Sequence, residues 1–241
     1  MPSLPSHQWL TGSAQSKGRR DIQADAYAVN RDDTTGRIAA TVTDGIGDTK
    51  DSATIAQLAA TAATKATLRH DPGHGCQTAR VRRATHYNDA EPRGLDAQAD
   101  ASIVTALLAT DHSRLWISWA GLCRAYVMYE SGALERATFD HCLPTPMTEA
   151  AQRSGSATTD ERQVTRTVGR NEFVTTHLPV RQVTRLLLCT DGVHRHLADR
   201  AIATVLRDPS TDATEAANIL ARAGGLTGTD NATAVVIQRA T

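Results

Sequence analysis

The chain has 241 residues, 40% of them apolar and only 4% aromatic, so it can bury a core built mainly from Ala, Val, Leu and Ile. Lys plus Arg and Asp plus Glu number 26 each; the zero net charge gives no electrostatic reason to expect nucleic acid or an anionic membrane as a partner. Cys76, Cys123, Cys142 and Cys189 are too scattered for a CxxC zinc motif, residues 1–16 lack the pattern of a signal peptide, and no apolar run approaches the ~20 residues that cross a bilayer, so a cytoplasmic protein with reduced thiols is expected.

Ala24 to Asn30 and Arg37 to Thr43 read as strands around a polar turn. Asp44-Gly45-Ile46-Gly47 breaks the chain. A helical stripe of Ile55, Ala56, Leu58, Ala59, Ala62, Ala63 and Ala66 then predicts a helix from Ser52 to about Leu68, capped by Asp51 or Ser52. Arg80 to Tyr87 reads as a basic helix, with Pro72, Gly73, Gly75, Pro92 and Gly94 marking loops around it. Ser102 to Ala109, Arg114 to Ala120 and Arg124 to Tyr129 read as an antiparallel meander. Pro144 to Thr159 reads as a short helix and polar loop. Phe173 to Leu178 and Arg185 to Thr190 are strands. Leu197 to Leu206 is helical, as is Thr214 to Ala223, with Asp212 and Glu215 at its start and Gly224 and Gly225 at its end. Ala232 to Arg239 is the last strand. This order favours α+β with packed antiparallel sheets over a doubly wound parallel sheet.

Four aspartates are placed alike. Asp25 opens a strand, Asp44 and Asp191 end strands and precede glycines, and Asp230 precedes Asn231 before the last strand. Asp-Gly and Asp-Asn are ordinary turn pairs, so none of these means anything alone. Carboxylates gathered at strand ends would suit hard divalent cations, which take oxygen ligands, and a pair of such ions supports displacement at phosphorus.

The order of the surrounding motifs resembles the protein phosphatase 2C family, the metal-dependent PPM phosphatases, over about 18–237. Residues 18–26, with Arg20, Asp21 and Asp25, resemble its Arg-x-x-Asn-Glu-Asp opening. Asp44-Gly45-Ile46-Gly47 resembles Asp-Gly-Met-Gly, and Gly121-Leu122-Cys123-Arg124 stands where the family has Gly-Asp-Ser-Arg. Thr138-Phe139-Asp140-His141, Thr165 to Gly169, Leu187 to Val193 and Asp230-Asn231-Ala232-Thr233 match the later motifs in order. The resemblance implies a single domain over 1–241, folded as a four-layer α-β-β-α sandwich of two antiparallel sheets flanked by helices. It implies hydrolysis of phosphoserine and phosphothreonine on proteins by a metal-bound hydroxide, with two Mn2+ or Mg2+ ions. Asp44 would bridge the ions, the carbonyl of Gly45 would hold the first, Asp191 and Asp230 the second, and Asp25 a bound water or a metal edge. Arg20 would bind phosphate. The implied partner is a phosphoprotein, the product of a Ser/Thr kinase, acted on by a monomer.

The departures from the family point to a second function, a pseudophosphatase that binds a phosphoprotein with little or no turnover. Leu122 replaces a carboxylate that helps hold a third ion, Cys123 a serine, Ala24 an acidic or amide residue, and Asp48 a glycine. His141 is expected to pack and hydrogen-bond, His194 and His196 to be exposed at a helix start, Trp116 and Trp119 to point to opposite faces of a strand, and Cys123 and Cys189 to be buried.

Overall fold

The computed structural model describes residues 9–88, 99–109, 113–143, 163–170 and 172–240. The expected helix and loop from Pro144 to Thr159 lie outside these residues, as do Pro92 and Gly94. The strands are β1 (Trp9–Ser16), β2 (Asp25–Asp32), β3 (Arg37–Gly45), β4 (Ala101–Leu108), β5 (Arg114–Ala120), β6 (Arg124–Tyr129), β7 (Leu134–Arg136), β8 (Cys142–Leu143), β9 (Gln163–Val164), β10 (Val174–Pro179), β11 (Val183–Cys189) and β12 (Ala232–Arg239). The helices are α1 (Lys50–Arg69), α2 (Pro72–Asn88), α3 (Asp191–His194), α4 (Asp199–Arg207) and α5 (Ala213–Thr227).

Two five-stranded antiparallel sheets form, in the orders β1-β12-β11-β6-β7 and β10-β5-β4-β3-β2, beside a two-stranded β8-β9 ribbon. Side chains alternate along each strand. On β11, Leu186 and Leu188 face the other sheet and meet Val42, Val104, Ile117 and Trp119. Leu187 and Cys189 face outward, onto Ile202 and Leu206 of α4 and Ala217 and Leu220 of α5. The second sheet presents Ala101 and Ile103 to Ile55, Ala59 and Ala63 of α1 and Cys76 and Ala79 of α2. The result is the expected α+β sandwich, with helices outside each sheet.

Four local expectations are corrected. The meander does not continue through β6: after β5 the chain crosses at Gly121-Leu122-Cys123 into the other sheet, where β6 pairs with β11 and β7. The cap of α1 is Thr49, whose hydroxyl accepts the Ser52 N–H while the Ser52 hydroxyl accepts the Thr49 N–H. The helix of Thr214 to Ala223 runs on through Gly224 and Gly225 to Thr227; these glycines do not end it but let α5 pass Gly192 and Ser16 too closely for a side chain. Pro72, Gly73 and Gly75 begin α2 rather than a loop, since proline suits a first helical position.

Gly75 is the contact residue of the α1–α2 crossing. A Cβ there would lie 2.0 Å from Thr67 Oγ1 and 2.9 Å from the Ala63 carbonyl oxygen. Gly75→Ala should therefore destabilise the chain by about 1–3 kcal/mol despite alanine's better helix propensity. A thermal midpoint at or above that of the parent would refute this packing account.

β1 has no counterpart among the sequence expectations. Trp9–Ser16 has little β-branched character, and only its pairing along the whole of β12 makes it a strand.

Candidate active site

Asp25 and Asp44 are direct cross-strand partners at the ends of β2 and β3, an arrangement that a sheet otherwise avoids. Asp191 opens α3 rather than ending β11, and the chain turns there so tightly that a Cβ on Gly192 would meet the Asn231 carbonyl oxygen at 1.9 Å. That contact brings the segment of Asp230 beside Asp191. Asn231 fastens the remaining part: its Oδ1 accepts the Ala24 N–H at 2.7 Å, and its Nδ2 donates to the carbonyls of Lys17 and Ile22 at 2.8 and 3.0 Å. The loop that carries Arg20 is thus tied to β12. Asp48 ties it to the Gly45–Gly47 turn by accepting the Ile22 N–H at 3.1 Å.

Asp44, Gly45, Asp191, Asp230 and Arg20 line one polar cavity of about 460 Å³, together with Leu122 and Arg195. Asp25 lies buried behind it. The Asp25 Oδ2 accepts the hydroxyls of Thr190 and Thr233, both at 2.8 Å. Burial raises its pKa to about 7, against these two hydrogen bonds and with help from the charges of Asp191 and Asp230. Asp44 is held well above the usual carboxylate range by burial and then by Asp191 and Asp25. Its carboxylate has no hydrogen-bond partner among the described residues. Asp191 is also raised, by burial, against the opposing charge of Arg195.

Two guanidiniums answer this concentration of acid. Arg20 Nε lies 3.1 Å from Asp230 Oδ1, and Arg195 Nε lies 3.2 Å from Asp191 Oδ2. Among the described residues no three His, Cys, Asp or Glu side chains are gathered closely enough to hold a metal ion as they stand. The donor set nevertheless suits hard cations in its chemistry. Its side-chain donors are carboxylates, one of them unpartnered, a backbone carbonyl adjoins them, and the nearby Cys123 and Cys189 thiols are buried and pushed up in pKa.

Arg195 was not anticipated, although its place four residues after a helix-opening aspartate was the available signal. Thr190, directly before Asp191, was also missed. His194 is corrected: it is buried, its Nε2 is 2.8 Å from the Leu122 carbonyl oxygen, and burial pulls its pKa down to about 4. His196 is exposed, as expected. His141 Nδ1 accepts the Gly121 N–H, and its ring stacks on Trp119. Beneath the cavity, Arg124 makes a two-point pair with Asp140, both bonds 2.7 Å, and a 3.0 Å bond to the Tyr126 hydroxyl.

No protein-family model matches the chain, and no curated protein sequence matches it. Solved structures do. The serine/threonine phosphatase of S. agalactiae superposes with a TM-score of 0.76 at 15% identity, covering 96% of this chain and 100% of that one. The fold is that of the bacterial serine/threonine phosphatases. PppA of Pseudomonas aeruginosa, described as a key regulatory component of T6SS, gives a TM-score of 0.72 at 21% identity, over 96% of this chain and 98% of its own. The catalytic domain of the serine/threonine phosphatase PstP, in a complex with two manganese ions, gives 0.71 at 21% identity over 97% and 99%. In this phosphatase fold the cavity described above lies where β3, β11 and β12 meet. No helix among the described residues is long and apolar enough to cross a membrane.

Proposed function

We propose that the chain is a bacterial-type member of the protein phosphatase 2C family, acting as one phosphatase domain over 1–241 on phosphoserine and phosphothreonine in proteins. The observation that carries this reading is the convergence of Asp44, Asp191 and Asp230 on one cavity with Arg20 in its wall and Asp25 behind it. Asp44, the Gly45 carbonyl, Asp191 and Asp230 would hold two Mn2+ or Mg2+ ions, with Asp25 backing them. When bound, such ions supply Lewis acidity toward water and the phosphoryl oxygens. The Leu122 side chain offers no oxygen and its carbonyl is engaged by His194, so no third ion is expected. The partner would be the phosphoprotein product of a Ser/Thr kinase, and the enzyme a cytoplasmic monomer.

Arg20 would receive the phosphate. Its planar fork suits two phosphoryl oxygens, and its pairing with Asp230 keeps it at the cavity wall. A charge-assisted hydrogen bond is worth about 1.5–3 kcal/mol, so Arg20→Ala should lower kcat/KM roughly ten- to a hundredfold. An unchanged kcat/KM would show that Arg20 only neutralises Asp230.

The pairing of Asp191 and Asp230 with arginines, and Ala24 and Leu122 at the cavity wall, favour a second reading, a pseudophosphatase that binds a phosphoprotein with little or no turnover. Hydrolysis of p-nitrophenyl phosphate with manganese and in excess chelator separates the two. Metal-dependent turnover supports the enzyme. Phosphopeptide binding with no turnover supports the binder. Full turnover in chelator would overturn the metal assignment.

A further inference from the structure

A second cavity, of about 1130 Å³, lies at the opposite end of the same sheet. β11 ends beside the carboxylates and β12 begins there, whereas Arg185 near the start of β11 and Arg239 at the end of β12 line the second cavity. The eight residues of β12, at about 3.3 Å each, put roughly 25 Å between the two sites.

Four guanidiniums line this cavity: Arg181 between β10 and β11, Arg185, Arg207 at the end of α4, and Arg239. Glu130 is the acid among the lining residues, and it pairs with Arg239. Arg207 donates Nε and Nη2 to the Gly132 carbonyl at 3.1 and 2.7 Å. Arg185 is only 4% exposed, yet it donates to neutral oxygens alone: the Thr211 hydroxyl and the carbonyls of Val205, Asp208 and Thr211. Arg181 is exposed. None of Arg181, Arg185 and Arg207 has a carboxylate within ion-pair distance among the described residues.

A buried guanidinium without a counter-ion is costly, and burial pulls the Arg185 pKa down, with Asp208 and Asp212 opposing this only through space. In a chain of zero net charge this excess is local. Tyr129 and Pro209 stand among the arginines and offer apolar contact. We infer that this cavity docks an acidic peptide segment of a partner protein, carboxylates meeting the guanidiniums of Arg181 and Arg207 over the buried charge of Arg185, and an apolar side chain meeting Tyr129 and Pro209. A nucleic acid would need basic residues tracking its backbone over a longer surface. The phosphatase reading enters only in naming the partner as a substrate. On that reading, the acidic segment lies at least about eight extended residues from the phosphorylated side chain.

The test is fluorescence polarisation of a labelled peptide of alternating Glu and Leu, titrated with the full chain and with an Arg181→Glu/Arg207→Glu variant. The expected result is salt-sensitive binding by the parent, weakened about tenfold or more in the variant, with unchanged p-nitrophenyl phosphate turnover. Absence of binding by the parent, or equal binding by the variant, overturns the proposal. Tighter binding of an equally charged single-stranded oligonucleotide, lost in the same variant, overturns it in favour of nucleic acid. If the double variant fails to fold, Arg181→Glu alone carries the test, because Arg181 is exposed. The binding readout requires no turnover, so failure of the phosphatase reading and failure of this one are separate results.

Discussion

Replacing Asp44 with asparagine should remove nearly all phosphatase activity while making the metal-free chain harder to unfold. The first half rests on the proposed role. Losing the anionic ligand shared by two hard cations forfeits several kcal/mol of transition-state stabilisation. At about 1.4 kcal/mol per tenfold, turnover falls on the order of a thousandfold. The second half rests on the geometry without ions. Asp44 faces Asp25 across the ladder and lies close to Asp191, and burial with these charges raises its pKa well above 3.8. A carboxyl whose folded pKa is raised gives its full stability below the unfolded pKa and loses it as pH rises through the folded value. A neutral amide escapes that loss. The variant should therefore out-melt the parent in chelator at pH 8, and the gap should close near pH 4. Activity in the variant close to that of the parent would remove Asp44 from the metal site. A lower melting point than the parent in chelator at pH 8 would contradict the electrostatic account.

Asp140→Ala should be strongly destabilising. Arg124 and Asp140 are each about one-tenth exposed and joined by two short bonds. Against burial, which lowers its pKa, Arg124 is held above its ordinary range by Asp140 and the Tyr126 hydroxyl, which in turn donates to Asp199. Removing the carboxylate strands a buried guanidinium, at a cost of about 3–5 kcal/mol. For a chain of this size that is a fall of roughly 6–20 °C in Tm. Asp140→Asn, which keeps an acceptor, should fall less. An unchanged midpoint for Asp140→Ala would mean that Arg124 is satisfied by its other contacts.

The layers were legible because short apolar strands and the α1 stripe stand apart from the turns between them, although Leu58 of that stripe is exposed. Arg185 to Thr190 is almost wholly apolar and so reads as a strand buried on both faces, and its residues Leu186 to Cys189 pack on both sides. Asp44, Asp191 and Asp230 were noticeable because each precedes a glycine or an asparagine; Asp25 lies between alanines and was noticeable only as the start of a strand, and Asp191 opens α3 instead of ending β11. What escaped depended on partners distant in sequence. Trp9–Ser16 lacks strand character of its own and becomes a strand on β12. Gly75 looks like a loop residue until the α1–α2 crossing supplies a reason for it. His194 looks exposed in a polar run, but α3 turns it onto the Leu122 carbonyl. Arg20 pairs with Asp230, whose proximity only the folded chain creates. The Arg195–Asp191 pair is the local exception: it was missed because Asp191 reads as a strand end and not as the start of a helix, where a partner four residues on faces it.

The union of β1 with β12 also bears on how the protein is made. Trp9 stands opposite Arg239, so the ladder joins nearly the first described residue to nearly the last. Contacts so distant along the chain close late and slowly, because the loop entropy must be met before they yield anything. During synthesis β1 and β11 each wait with an open edge until β12 leaves the ribosome. Asp230 and Asn231 arrive just ahead of it. The nascent chain therefore has neither a closed sheet nor a complete carboxylate cluster until β12 emerges. In that interval its exposed strand edges are open to aggregation or chaperone capture.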